Sequence, residues 1–265
     1  CLLIVKINTD LIHWNVLYHI YIMYVCSMKF VYPYKSKRSH YEISESLRWL
    51  YLAYPDAEVY IIGDAPDIHL PYVHIPYTSH LSSPGSEVTD KVMTFCELIG
   101  DEFILMNDDF FITDRYPFHI VMTNGFVTIS PGHSITYQQA CENTIDFLAA
   151  NQLQLVNYEC HQPVMIQSCR FIELFSQVEY QSHNHLLKSM YFNTWPMRTY
   201  PGENLKLGHS LHKAKKYLSD YGAFSSSDTF LTTEHMDFIS KYSSSAESAP
   251  SVACQLCQIP KPPLD

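Results

Sequence analysis

Apolar residues recur at two different spacings along this chain, and the switches between them outline alternating strands and helices. Lys29-Phe-Val-Tyr-Pro-Tyr34 is a short apolar run of strand type. In residues 39–54, Ile43, Leu47, Leu50 and Tyr54 return at helical spacing, and Ser39-x-x-Glu42 ahead of them has the form of a capping box. Pro55-Asp56 ends that helix, and Glu58-Val-Tyr-Ile-Ile-Gly63 follows as a buried strand with Asp64 at its carboxyl end. Tyr72-Val-His-Ile-Pro76 is a further short strand, and residues 78–87 read as a polar loop. Val88, Val92, Phe95 and Leu98-Ile99 then mark a helix over 87–99, closed by Gly100 in the usual C-cap position. Glu102-Phe-Ile-Leu-Met106 is the next strand and runs directly into Asn107-Asp108-Asp109. The order β-α-β-β-α-β predicts an α/β fold whose sheet has parallel strands and crossover helices.

The second half is more helical. Residues 134–150, 164–178, 184–192, 203–220 and 232–242 all read as helices, and no internal repeat is visible. The two ends differ from the middle. Residues 1–27 are apolar but interrupted, and Leu11 to Ser27, free of full charges, is barely long enough to span a bilayer. The expectation is that 1–27 is a leader or upstream read-through rather than an anchor. Residues 28–242 then form a single catalytic domain without a stable membrane span. Residues 243–265, rich in Ser and Pro, show neither period and read as a disordered or spurious tail.

Composition narrows the class. Of 265 residues, 47% are hydrophobic and 17% charged, which is enough apolar material for a large core. The formal net charge of -10 argues against general affinity for nucleic acid. Eight cysteines show no disulfide framework, so a reducing, cytoplasmic setting is expected; Cys254-x-x-Cys257 alone is a weak zinc signal.

The candidate chemistry centres on Asp108 and Asp109. Two adjacent carboxylates at the end of a buried strand repel each other and call for a cation. Mn²⁺ or Mg²⁺, with hard oxygen ligands and an affinity for phosphate, suits them. The plainer alternative is a polar turn. Tyr158-Glu159-Cys160-His161-Gln162-Pro163 is a second cluster. His161 is a candidate metal ligand or base and Glu159 a candidate proton acceptor, against a surface histidine at a helix start. Cys160 is set aside as a nucleophile, since sequence neighbours on a strand point apart. Lys35, Lys37 and Arg38 follow the first strand after Tyr34, where a nucleotide often sits, against the alternative of a solvated basic loop; Lys91 is a candidate substrate contact against an exposed pair with Asp90, and Tyr34, Asp64 and Asn107 complete the candidate binding set.

In order, Glu45-Ser-Leu-Arg48, Val59-Tyr-Ile-Ile-Gly-Asp64, His74-Ile-Pro76 and Phe103-Ile-Leu-Met-Asn-Asp-Asp-Phe-Phe-Ile112 resemble the central region of the Stealth proteins. These are the capsular-polysaccharide and lysosomal-enzyme N-acetylglucosamine phosphotransferases, with similar small phage and bacterial glycosyltransferase-like proteins. Looser echoes lie at Glu159-x-His161-x-Pro163 and Ser227–Glu234. The resemblance implies an A-type glycosyltransferase-like fold with a helical C-terminal half, a divalent metal on Asp108 and Asp109, and a functional His161. It also implies a late cationic contact, for which Lys188, Arg198 and Lys206 are candidates. The long multi-region organisation of the phosphotransferases is missing. The expected activity is therefore metal-dependent transfer of a sugar from a nucleotide sugar to a hydroxyl of a glycan or modified base. Hexose-1-phosphate transfer, phosphohydrolysis and non-catalytic sugar binding are the alternatives.

Overall fold

The computed structural model describes residues 28–37, 39–207, 210–226 and 232–245. Arg38, both chain ends and the echo at 227–231 lie outside the described residues.

The architecture is mixed α/β, built on a five-stranded sheet. Its strands are β1 (Lys29–Tyr34), β2 (Glu58–Gly63), β3 (Val73–Pro76), β4 (Glu102–Leu105) and β7 (Val164–Gln167), in spatial order β3-β2-β1-β4-β7. The first four run parallel and β7 pairs antiparallel with β4. Val31 sits between Tyr60 and Leu105 in register, so β1 is central. Alternation along β1 sends Phe30, Tyr32 and Tyr34 into one core and Val31 into the other. Helix α1 (Tyr41–Ala53) covers the first face with Ile43, Leu47 and Leu50. Helix α2 (Pro84–Leu98) covers the second with Val92, Phe95 and Cys96, joined there by Phe171 and Phe175 of α4 (Ser168–Phe175) and Tyr191 and Phe192 of α5 (Leu187–Thr194).

Two small ribbons flank the sheet. β5 (Phe110–Ile112) pairs antiparallel with β9 (Ala223–Ser225), and β6 (Val121–Thr123) pairs parallel with β8 (Thr199–Pro201). Phe111 and Phe224 stack with centroids 4.8 Å apart, and Trp49 meets each edge-on at 5.7 Å. That cluster fastens residues 223–225 to the turn after β4. The remaining helices are α3 (Ile135–Ala150), α6 (Leu211–Tyr221) and α7 (Thr233–Ser245). Among the described residues no helix is long and apolar enough to cross a membrane.

Several boundaries differ from the sequence reading. Helix α2 starts earlier, at Pro84, because proline at the first helical position loses no needed N–H. Residues 164–178 are not one helix: Val164–Gln167 completes the sheet edge before α4 begins. A four-residue strand is too short for its alternation to stand out. Helix α6 occupies only 211–221 and stops at Gly222 in the left-handed region, while 203–207 is irregular chain. The capping box does not form. Ser39 Oγ accepts from the Tyr41 N–H at 3.1 Å, and Glu42 turns away to the partners described below.

Candidate active site

Because β1 to β4 run parallel, their carboxyl ends share one edge. The chain steps outward from β1 to β2 and β3, then returns to the other side of β1 for β4. Strand order therefore reverses between β1 and β4, and in open parallel sheets that reversal leaves a crevice for ligands at the carboxyl ends. Lys35-Ser36-Lys37 leaves β1 on one lip and Asn107-Asp108-Asp109 leaves β4 on the other.

The two carboxylates are held differently. Lys37 Nζ donates to Asp108 Oδ2 at 2.9 Å and to Glu42 Oε2 at 3.0 Å, spanning the crevice. Burial opposes the charge on Lys37, but Asp108 and then Glu42 outweigh it and hold its pKa above the ordinary lysine range. Glu42 is buried and takes the Ser226 hydroxyl on its other oxygen at 2.6 Å. Asp109 is buried: Oδ2 accepts from Ser225 Oγ at 2.9 Å and lies 4.0 Å from Lys206 Nζ, whereas buried Oδ1 has no hydrogen-bond partner. Burial first, and the charge of Asp108 second, push its carboxyl up to about 6. The Ser226 N–H also donates to the Asp109 carbonyl at 2.9 Å, so β9 fixes this turn from behind.

Beside Asn107 opens a cleft of about 790 Å³, lined by Asn107, Glu159, His161, Lys188 and Asn204, with Tyr137 and Leu186 among its apolar walls. This is the size of a small-molecule site. Lys188 is buried: its ammonium donates to the Gln162 carbonyl at 2.8 Å and the Cys160 carbonyl at 3.4 Å, and stands 5.4 Å over the Phe110 ring. Burial lowers its pKa. Burial also drives the His161 imidazole down to about 3, with Lys188 and Lys206 adding repulsion, so His161 is neutral near pH 7. The His161 and Lys206 N–H groups both donate to Asn204 Oδ1, at 3.2 and 3.0 Å, which ties the His161 segment to the Lys206 segment.

The other candidates have partners of their own. One oxygen of Glu159 accepts from the Ser189 N–H at 2.9 Å and hydroxyl at 3.2 Å, near the start of α5. Cys160 is buried, and burial lifts its thiol to about 11, which removes it as a nucleophile. Lys91, expected as a substrate contact, is buried: it donates to the Tyr34 carbonyl and to Glu87 Oε1, each at 2.8 Å, and latches α2 to the end of β1. Tyr34 is buried too, with its hydroxyl 2.7 Å from His40 Nδ1. Lys35 is exposed and pairs with Glu87 at 3.2 Å; exposed Asp64 accepts the Ser36 N–H at 2.7 Å. Of the three late cations, Lys188 and Lys206 reach the Asp109 neighbourhood, while Arg198 lies close enough to lower the His119 pKa, behind burial. Sequence reasoning missed Glu42, Ser225 and Ser226 as members of the site. Glu42 was read into a capping box, and residues 225–226 are more than 100 positions from the turn they brace.

No family model matches the chain, and no curated protein sequence matches it. Solved structures similar in layout include the glycosyltransferase GlyE of Streptococcus pneumoniae TIGR4, at 8% identity and TM-score 0.41, matched over 82% of this chain and 60% of that one. Another is a glycosyltransferase involved in glycosylation of the major capsid of PBCV-1, at 8% identity and TM-score 0.40, over 81% and 99%. A third is the inositol-1-phosphate CTP transferase from T. maritima, at 7% identity and TM-score 0.44, over 81% and 95%. The chain thus spans about three-fifths of the length of the first. Likeness at this level is one of general layout.

Mg²⁺ and Mn²⁺ are commonly held by one or two carboxylates together with substrate phosphates. Asp108 and Asp109, with the unpartnered Oδ1 of Asp109, fit that use. Among the described residues no three His, Cys, Asp or Glu side chains lie close enough to share a metal, so His161 does not join the two aspartates in a preformed three-ligand set.

Proposed function

We propose that this chain transfers a sugar from a nucleotide sugar to a hydroxyl of a glycan or other acceptor. The observation that carries the reading is the crevice between β1 and β4. It sets the segment 35–37 opposite Asp108 and Asp109 at the carboxyl edge, with Lys37 on Asp108 and Lys35 paired with Glu87, and the cleft of about 790 Å³ opens beside Asn107. In this reading the donor diphosphate lies across the crevice, where lysine ammonium groups offset its charge. Asp108 and Asp109 would hold a divalent ion, which when bound would supply positive charge for the leaving diphosphate. The acceptor enters the cleft. Neutral His161 stands there with a ring nitrogen able to hydrogen-bond and orient the acceptor hydroxyl, and Lys188 holds the Cys160 and Gln162 carbonyls on either side of it. Glu159, bonded at α5, positions the wall of the cleft instead of moving protons. A cytoplasmic location belongs to the same proposal.

Titration of the full chain with a panel of nucleotide sugars, with and without Mn²⁺ or Mg²⁺, tests this. Thermal stabilisation by one donor, lost in Asp108→Asn, is expected. Release of a nucleoside diphosphate identifies glycosyl transfer; release of a monophosphate identifies the hexose-1-phosphate transfer of the Stealth resemblance. A folded protein that responds to no donor overturns the proposal.

A further inference from the structure

The cation between Glu42 and Asp108 is at present an amine. Lys37 Nζ lies 3.0 Å from one carboxylate and 2.9 Å from the other, close to bonding distance for both. Glu42 is buried and locked by Ser226, and the main chain of the turn that carries Asp108 is braced by Ser226 at Asp109. The Lys37 side chain is 42% exposed and Lys206, beside Asp109, is 41% exposed. These two long side chains have solvent in which to swing. An independent feature points to a missing cation partner: buried Asp109 Oδ1 has no hydrogen bond at all.

We propose that Lys37 is a placeholder cation, which a diphosphate draws off Asp108 so that a divalent ion enters only together with that diphosphate. This rests on the transferase reading and adds Glu42, from α1, as a third negative charge beside the Asp108–Asp109 pair once Lys37 withdraws, acting through its charge and not as a third ligand. An ammonium and a divalent ion against the same carboxylate repel each other, so Lys37 weakens the hold of Asp108 on a metal ion for as long as it stays there. A phosphate oxygen pairs readily with a lysine ammonium, and a diphosphate brings two phosphoryl groups to the lip where Lys35 and Lys37 stand. The same exchange on Asp109 would move Lys206, 4.0 Å away, towards the phosphate. The empty protein thus keeps its carboxylates neutralised, and the metal site is assembled by the substrate.

The test needs no sugar donor. Mn²⁺ retained by the 265-residue chain is measured by ultrafiltration, with Mn²⁺ alone and with inorganic pyrophosphate, corrected for Mn²⁺ held by pyrophosphate in protein-free buffer. Wild type is expected to retain Mn²⁺ only with pyrophosphate. Lys37→Met is expected to bind Mn²⁺ alone about tenfold or more tightly than wild type, since a competing charge is gone. Adding Glu42→Gln or Asp108→Asn to Lys37→Met should abolish that gain, and Lys37→Arg should show none. Thermal melts show whether each variant folds, and Lys206→Met, which acts on Asp109 instead, supplies a second route to the same gain. Equal Mn²⁺ binding by wild type and both Met variants in the absence of pyrophosphate overturns the inference. That failure is separate from failure of the transferase reading, which is decided by response to nucleotide sugars.

Discussion

Asp109→Asn should make the protein more stable at alkaline pH while removing its activity. The carboxyl is buried beside Asp108, and the resulting rise from 3.8 to about 6 already includes the opposing pull of Lys206 and Ser225. An acid whose native pKa lies above its unfolded value destabilises the fold in its ionised form. The penalty is complete above pH 6 and is released as pH falls from about 6 towards 3.8. At about 1.4 kcal/mol per pKa unit, the full penalty is about 3 kcal/mol. Asparagine carries no charge and keeps an oxygen for Ser225 Oγ. Its amide hydrogens enter the place of Oδ1, where no partner waits, and this costs about 1–2 kcal/mol. The variant should therefore exceed wild type by about 1–2 kcal/mol at pH 8, or roughly 2–8 °C in melting temperature for a chain of this size. By pH 5 about half of the 3 kcal/mol difference should have gone, which brings the two proteins close to equal stability. Urea unfolding in the presence of a metal chelator, at pH 8, 6.5 and 5, measures the gap directly. A gap that stays constant across that range would refute the assignment of Asp109 as a strained, ionised carboxylate at neutral pH.

Three other substitutions probe separate parts of the argument. Gly63 has φ +124° at the end of β2, and a Cβ there would stand 2.0 Å from the Tyr34 carbonyl oxygen; Gly63→Ala should cost about 3 kcal/mol or more, read by urea melt, and a loss below 1 kcal/mol contradicts the close approach of β1 and β2. Phe111→Ala removes the ring that Trp49 and Phe224 pack on; it should cost about 3–5 kcal/mol and loosen the Ser225 brace, so activity should fall even where the variant remains folded. Glu159→Gln keeps an oxygen for the Ser189 N–H; turnover should stay within about threefold of wild type, and a loss of 100-fold or more would restore Glu159 as a proton carrier.

The residue pattern determined the local elements with long periods and the chemical character of the turn. Ile43, Leu47 and Leu50 mark α1, the apolar run 58–63 marks β2, and a carboxylate pair after the strand 102–105 announces a charged site, because each depends on neighbours within a few positions. β7, β8 and β9 were missed because they carry no isolated apolar run bounded by turn residues, as the equally short β3 and β4 do, and exist through pairing with distant strands. Lys91 and Lys37 show the limit most clearly. Both are lysines near predicted binding positions, and no sequence feature says that Lys91 is sealed against Tyr34 and Glu87 while Lys37 lies across the crevice on Asp108. Strand order alone placed residues 35–37 opposite 107–109, and the Phe111–Phe224 stack brought Ser225 behind Asp109 across 116 positions. Local composition gives each side chain its charge, but the field around that charge, which sets Asp109 near 6 and His161 near 3, comes from groups that only the folded chain brings within reach.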